Sequence, residues 1–174
     1  MLKGQVTGLR AIEKSDLSQL LQWRNQPEFR LFFREFRELN YENQLSWFDK
    51  YVMNDPNTRM FAIVELTTNK LIGACGLCYI DWINRNADFS IYIGKDNLYI
   101  DKSYATDAAQ VMEKYGFQEL NLHRLWAEIY SIDEKKIVFF EKMNFEKEGY
   151  FKQTHWTQGK WVDSIYYGKI NREG

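Results

Sequence analysis

Sulfur, imidazole and proline are scarce in this chain of 174 residues, which holds two cysteines, two histidines and two prolines. The cysteines, Cys75 and Cys78, form a C-x-x-C inside Leu71–Ile80, a stretch that reads as a strand. Positions three apart on a strand face opposite ways, so the two sulfurs neither pair nor share a metal. With no second cysteine pair and only His123 and His155 as imidazole ligands, no metal site is expected. No run approaches the roughly 20 apolar residues of a membrane span. Met1-Leu2-Lys3-Gly4-Gln5 also lacks the apolar stretch of a signal peptide, so a cytoplasmic protein without a membrane partner is expected. Neither charge sign dominates: 23 Lys and Arg face 24 Asp and Glu, which argues against nucleic-acid binding through overall charge. Linkers, low-complexity tracts and repeats are missing too, so one domain spanning 1–174 is expected.

What is abundant is aromatic side chains, 17% of the chain from 12 Phe, 11 Tyr and 6 Trp. So many rings imply a bulky core, an aromatic-lined pocket, or both. Apolar periodicity predicts strands at Val6–Ile12, Met60–Leu66, Leu71–Ile80, Ala87–Gly94, Arg124–Tyr130, Phe145–Thr154 and Trp161–Lys169. It predicts helices from Ser15 to about Arg24, from Asn40 through Val52, from Ser103 to Glu119 and from Asp133 to Asn144. The order β-α-α-β-β-β-α-β-α-β-β suits an α/β (α+β) fold, a mixed, mostly antiparallel sheet with helices on both faces.

Strand parity locates the polar groups. Asp88, Ser90 and Tyr92 share one strand face, and Trp126, Glu128 and Tyr130 share another, while the opposite face of each strand is wholly apolar. If the mixed faces coincide, Asp88 and Glu128 line one cavity with three rings. Between the first two helices, Glu28 to Glu38 interleaves Phe29, Phe32, Phe33 and Phe36 with Arg30, Arg34 and Arg37. Two uses fit it: rings that anchor the segment while Arg and Glu pair in solvent, or a lid whose arginines meet an anionic acceptor. The cluster of His155, Trp156 and Trp161 suits either an acceptor-site border or a homodimer contact.

Several segments, in this order, resemble the GCN5-related N-acetyltransferase (GNAT) superfamily, most of all the branch with ribosomal-protein and amino-sugar N-acetyltransferases. They are Leu9-Arg10-Ala11-Ile12, Trp23-Arg24-Asn25-Gln26-Pro27-Glu28, Leu71-Ile72-Gly73, Ile91-Tyr92-Ile93-Gly94 and Leu120-Asn121-Leu122-His123-Arg124. Asp16-Leu17, Asp81 with Asn84-Arg85-Asn86-Ala87-Asp88, Phe140-Glu141-Lys142-Met143-Asn144-Phe145-Glu146-Lys147-Glu148-Gly149 and Gly159-Lys160-Trp161 complete the match. The resemblance implies a GNAT-like fold and acetyl transfer from acetyl-CoA to a primary amine by direct attack in a ternary complex. The acceptor it implies is a small molecule or amino sugar, with a protein N-terminus as the other choice. It further implies that the strands of Ala87–Gly94 and Arg124–Tyr130 splay around the acyl-pantetheine arm, held by backbone at Ile91, Tyr92 and Ile93.

On this resemblance Glu128 is the leading base for the amine, Asp88 the second, and Tyr130 a candidate acid, with Tyr104 or water as other donors. Arg30, Phe33, Arg34 and Trp126 are placed at the acceptor. Lys102, Ser103, Tyr104, Ala105 and Thr106 are placed at the donor phosphates, with Asp133 and Phe140 beside the donor. The family's loop reads Arg/Gln-x-x-Gly-x-Gly/Ala, because backbone N–H groups at a helix start bind pyrophosphate and glycine permits close approach. Here Ile100-Asp101-Lys102-Ser103-Tyr104-Ala105 keeps only the last position. Asp133 stands where the family often has Asn, and Phe140 where it often has a thiolate-protonating Tyr. These departures motivate the alternative of a catalytically impaired GNAT-fold module that binds CoA or regulates.

Overall fold

The apolar runs pair as one eight-stranded sheet in the computed structural model, which describes residues 1–172. The strands are β1 (Leu2–Lys3), β2 (Thr7–Ala11), β3 (Arg59–Glu65), β4 (Leu71–Asp81), β5 (Asn86–Ile93), β6 (Arg124–Tyr130), β7 (Glu146–Thr157) and β8 (Lys160–Ile170). Their spatial order is β1-β2-β3-β4-β5-β6-β8-β7. All neighbours run antiparallel except β5 and β6. The helices are α1 (Leu17–Arg24), α2 (Pro27–Arg30), α3 (Tyr41–Trp47), α4 (Tyr104–Lys114) and α5 (Glu134–Lys142). The last turns of the α3 and α4 segments widen into π-helical turns at Phe48–Met53 and Tyr115–Glu119.

The mixed, mostly antiparallel sheet expected from the sequence is present, with two additions. Strand β1 is two residues long, too short for a periodic signal. It lies beside a junction pinned from α4: Asp107 accepts from the N–H groups of Gln5 and Thr7, both at 2.8 Å, and from the Thr7 hydroxyl at 2.6 Å. Helix α2 is a single turn opened by Pro27, whose fixed φ suits a first helical position. It buries Phe29 and lies within the ring-and-arginine segment. The final hairpin turns at Gln158-Gly159, both with positive φ (49° and 75°), the twist a two-residue hairpin needs.

Strand parity sorts the helices. Tyr92 packs toward α1 and α2, meeting Trp23, Phe29 and Phe33 at centroid distances of 6.4, 6.3 and 5.5 Å. Three residues away, and so on the opposite face, Phe89 meets Phe140 of α5 at 5.8 Å. On that same face Phe61, paired through Cys75 to Ile91, packs on Tyr115 after α4. Helices therefore cover both faces. At the end of β5 the close packing is strict: a Cβ on Gly94 would stand 1.9 Å from the Trp23 ring. Cys75 and Cys78 are free thiols.

Candidate active site

The one parallel pair in the sheet is short. Strand β5 pairs with β6 only at Asn86↔Arg124, Ala87↔Leu125 and Asp88↔Trp126. Beyond that point β5 stays with β4 as far as Ile93↔Gly73, and β6 stays with β8 as far as Tyr130↔Ser164. The two strands part after Asp88 and Trp126, and a gap opens. Parallel partners project to the same face, so Asp88, Trp126 and Glu128 look out on the α1–α2 side. A cleft of about 630 Å³ lies there, lined among others by Phe33, Arg34, Asp88, Ser90, Glu128 and Lys136. The mixed faces do coincide.

Arg34 spans the opening. Its Nη1 donates to Asp88 Oδ2 at 2.7 Å, and its Nη2 lies 3.4 Å from Glu128 Oε2. The guanidinium carbon sits 5.7 Å from the Tyr79 ring centroid and 6.0 Å from that of Trp126, within cation–π range. Tyr79 is aimed by a bulge: β4 slips register between Cys78 and Asp81, and Tyr79 has φ 51°. Asp88 is 5% exposed, and burial pushes its carboxyl above the usual carboxylate range, which Arg34 only partly offsets. Burial acts to lower Arg34, but Asp88 and then Glu128 outweigh it and hold the guanidinium above the usual arginine range.

Glu128 is held from the other side. Ser164 Oγ donates to its Oε1 at 2.7 Å, and Thr154 Oγ1 lies 2.5 Å from Ser164 Oγ. With the Ser164 proton committed to the carboxylate, Thr154 is the donor in that second contact. One carboxylate oxygen is thereby fixed while the other faces the cleft. Lys136, in the first turn of α5, has its Nζ 5.3 Å from the Tyr99 centroid and 5.9 Å from that of Phe33. Loss of water lowers its ammonium below the usual lysine range, against the pull of Asp133 and Asp88. Tyr79, Lys136, Ser164 and Thr154 were not singled out from the sequence. Periodicity marks none of them, because a bulge, a helix start and two cross-strand neighbours become visible only with register.

Other expected residues lie elsewhere. Tyr92 and Tyr130 do not line the cleft: Tyr92 is buried among Trp23, Phe29 and Phe33, and Tyr130 stacks flat on His155 at 4.0 Å. Burial and then Glu128 raise the Tyr130 phenol. The structure thus corrects the expected set of three rings: Tyr79 and Phe33 are among the rings that line the cleft, and Trp126 meets it only through Arg34. Phe140 is 1% exposed and packs edge-on against Phe89, Phe139 and Phe145, so it belongs to the core. Arg30 pairs with Glu38 at 2.5 Å and Arg37 with Glu35 at 2.7 Å, both near the surface. Each arginine of the segment therefore has a carboxylate partner of its own, and the anionic-acceptor lid loses its free cations.

On the donor side, antiparallel alternation turns the backbone groups of odd β5 residues toward the gap. Those of Ile91 are so placed, which suits a linear amide-bearing arm. Those of Ile93 pair with Tyr99 in both directions, at 2.7 and 2.8 Å. Asp133 accepts from the Lys136 N–H at 3.2 Å, capping α5, and from the buried Tyr99 hydroxyl at 2.6 Å. Tyr104 bonds through its hydroxyl to Glu65, which also takes Lys95 at 2.8 Å. The N–H groups of Ser103, Tyr104 and Ala105 open α4, and Lys102 and Thr106 flank them. The three amides at the start of α4 are already bonded within the chain, to Asp101.

The fold is shared with solved acetyltransferases. The structure of the spermidine N-acetyltransferase of Vibrio cholerae, determined with CoA and spermine, superposes with a TM-score of 0.85 at 24% identity, over 94% of this chain and 95% of that one. In sequence, residues 7–146 match the profile of the acetyltransferase (GNAT) domain. The spermidine N(1)-acetyltransferase of Escherichia coli K12 is 32% identical over 158 residues, 90% of this chain and 82% of that protein. The chain belongs to the GNAT family of N-acetyltransferases. Its acyl donor is that of the family, acetyl-CoA, which supplies an activated acetyl thioester. Among the described residues no helix is long and apolar enough to cross a membrane.

Proposed function

We propose that this enzyme acetylates a small, cationic primary amine in the cleft beside Asp88 and Glu128. One observation carries the reading: the cleft already holds a cation, the Arg34 guanidinium, between two carboxylates and against two aromatic rings. An ammonium group needs the same surroundings. Of the two carboxylates Glu128 is the looser partner of Arg34, at 3.4 Å against 2.7 Å for Asp88. An entering amine competes for Glu128 and leaves the Arg34–Asp88 pair in place. The relatives that act on spermidine point to the same acceptor chemistry.

Glu128 is the proposed base. An alkylamine with a pKa near ~10.4 is almost wholly protonated at neutral pH and cannot attack a thioester until it loses a proton. The second oxygen of Glu128, Oε2, is held only by its looser contact with Arg34 at 3.4 Å, and Ser164 keeps the carboxylate oriented. Asp88, nearly buried and bonded to Arg34, anchors that arginine. Self-association is also proposed, on the exposed rings of Phe151, Trp156 and Trp161 along the final hairpin, and light scattering after size exclusion tests it.

A panel of amines with thiol release and product mass spectrometry tests the acceptor. Spermidine-like and diamine acceptors are expected to turn over, and nucleotide-linked amino sugars are not. Turnover of the anionic amino sugars alone would overturn the cationic reading. A second reading, a binding module without turnover, is favoured by Phe140, which puts no hydroxyl at the position where the family often has tyrosine. CoA binding with no acceptor consumed across the whole panel would support it.

A further inference from the structure

The amides that open α4 are occupied by the chain itself. Asp101 Oδ2 accepts from the N–H groups of Ser103 and Tyr104, each at 2.9 Å, and Oδ1 accepts from Ala105 N–H at 2.7 Å. A carboxylate placed this way satisfies the orphan donors of a helix start and sits at the positive end of its dipole. These are the properties by which a helix start receives a phosphate. The segment leading to it is closed as well. Tyr99 takes both backbone groups of Ile93, its hydroxyl is bonded to Asp133, and its ring stacks on Phe32 at 5.0 Å and lies 5.1 Å from Phe29. Between Gly94 and Ile100, Asp96, Asn97 and Tyr99 hold positive φ of 52°, 54° and 60°. Such conformations are costly for non-glycine residues, most of all for a bulky one.

We propose that Asp101 is an internal anion standing in for the pyrophosphate of the acyl donor, so that acyl-CoA binds by displacing its carboxylate from the amides of residues 103–105. This rests on the chain being an acyl-CoA-dependent enzyme and adds a residue that sets donor affinity. Competition has two parts. The donor must break three hydrogen bonds before its phosphate oxygens form theirs. Once displaced, the Asp101 charge stays within a few residues of the phosphates and repels them.

The test compares wild-type protein with Asp101→Gly and Asp101→Asn, each confirmed folded by far-ultraviolet circular dichroism. Isothermal titration with CoA gives the affinity, and titration with S-acetyl-pantetheine, which carries no phosphate, gives the control. CoA affinity is expected to rise in the order wild type, Asp101→Asn, Asp101→Gly, with about a tenfold gain for the glycine variant from the charge and cap removed. The phosphate-free compound is expected to bind all three alike. Wild-type protein that binds CoA as tightly as Asp101→Gly would overturn the proposal and leave the acyl-CoA reading intact. An equal gain for S-acetyl-pantetheine would also overturn it, because the effect would then come through the fold. Folded variants and wild type that all ignore CoA at millimolar concentration would overturn both.

Discussion

Arg34 Nη1 lies 2.7 Å from Asp88 Oδ2, so a carboxylate buried on β5 takes its counter-charge from the irregular segment between α2 and α3. That contact joins the cover of the cleft to its floor, beside the point where β5 and β6 separate. It also gives the cleft its character. One carboxylate is neutralised from within, and a second, Glu128, keeps an oxygen facing the opening.

Removing Arg34 strands the Asp88 charge. Arg34→Ala is expected to lower stability by about 1–3 kcal/mol, the cost of leaving a buried polar partner unsatisfied, since water reaches the half-open Arg34 side. Arg34→Ala combined with Asp88→Asn should recover much of that loss. Urea denaturation of the single and double variants measures it, and additive losses would show that the pair is not coupled.

Glu128→Gln keeps the size of the side chain and an oxygen for Ser164 but removes the base. Turnover of a cationic amine is expected to fall by about 10²–10⁴, and acceptor KM to rise as the ammonium loses a carboxylate partner. The residual rate should climb with pH toward the pKa of the free amine, near ~10.4. Thiol-release rates across pH check this, and an unchanged rate and profile would remove Glu128 from the chemistry.

Glu65 governs an acid transition away from the cleft. Hydrogen bonds from Lys95, Thr68 and Tyr104 hold its carboxyl at about 2, below the ordinary 4.5. A depressed folded-state pKa means the contribution is present above the unfolded value and is lost as pH falls from about 4.5 through about 2. Glu65→Gln is therefore expected to be less stable than wild type at pH 7, with the gap closing on acidification. Denaturation at several pH values between neutral and strongly acid tests it, and a gap independent of pH would contradict it.

The two thiols should be nearly inert. Burial pushes the Cys75 thiol far above its usual range and raises Cys78 to about 12, with Asp88 adding to the latter. The thiolate is the reactive form, so native protein is expected to resist iodoacetamide at pH 8 while unfolded protein labels at both positions. Intact-mass measurement distinguishes the two, and fast native labelling of Cys78 would show an accessible thiolate in the cleft.

Much of this molecule is legible in its sequence, because the signals are local. The period-two alternation of Asp88, Ser90 and Tyr92 and of Trp126, Glu128 and Tyr130 needs only the strand pleat. So does the separation of Cys75 from Cys78. The capping use of Asp101 is local as well: an aspartate just ahead of a helix start, bonded two to four residues on, is a signal of the kind that caps helices.

By itself the sequence determined which side chains share a strand face, where helices begin, and, through its spaced segments, the GNAT resemblance. Only the tertiary structure decided which of those side chains meet. Parity puts Tyr130 and Glu128 on one face, yet the hairpin of β7 and β8 brings His155 under Tyr130 and Ser164 under Glu128, giving them different neighbours. Three arginines alternate with rings from Arg30 to Arg37, and only the fold turns Arg34 inward to a carboxylate 54 positions away. The physical reason is range. Backbone sterics and hydrogen-bond geometry act over a few residues and can be read from order. Charge pairing and burial act across the gap between β5 and β6, whose width is set where two strands leave each other for different partners.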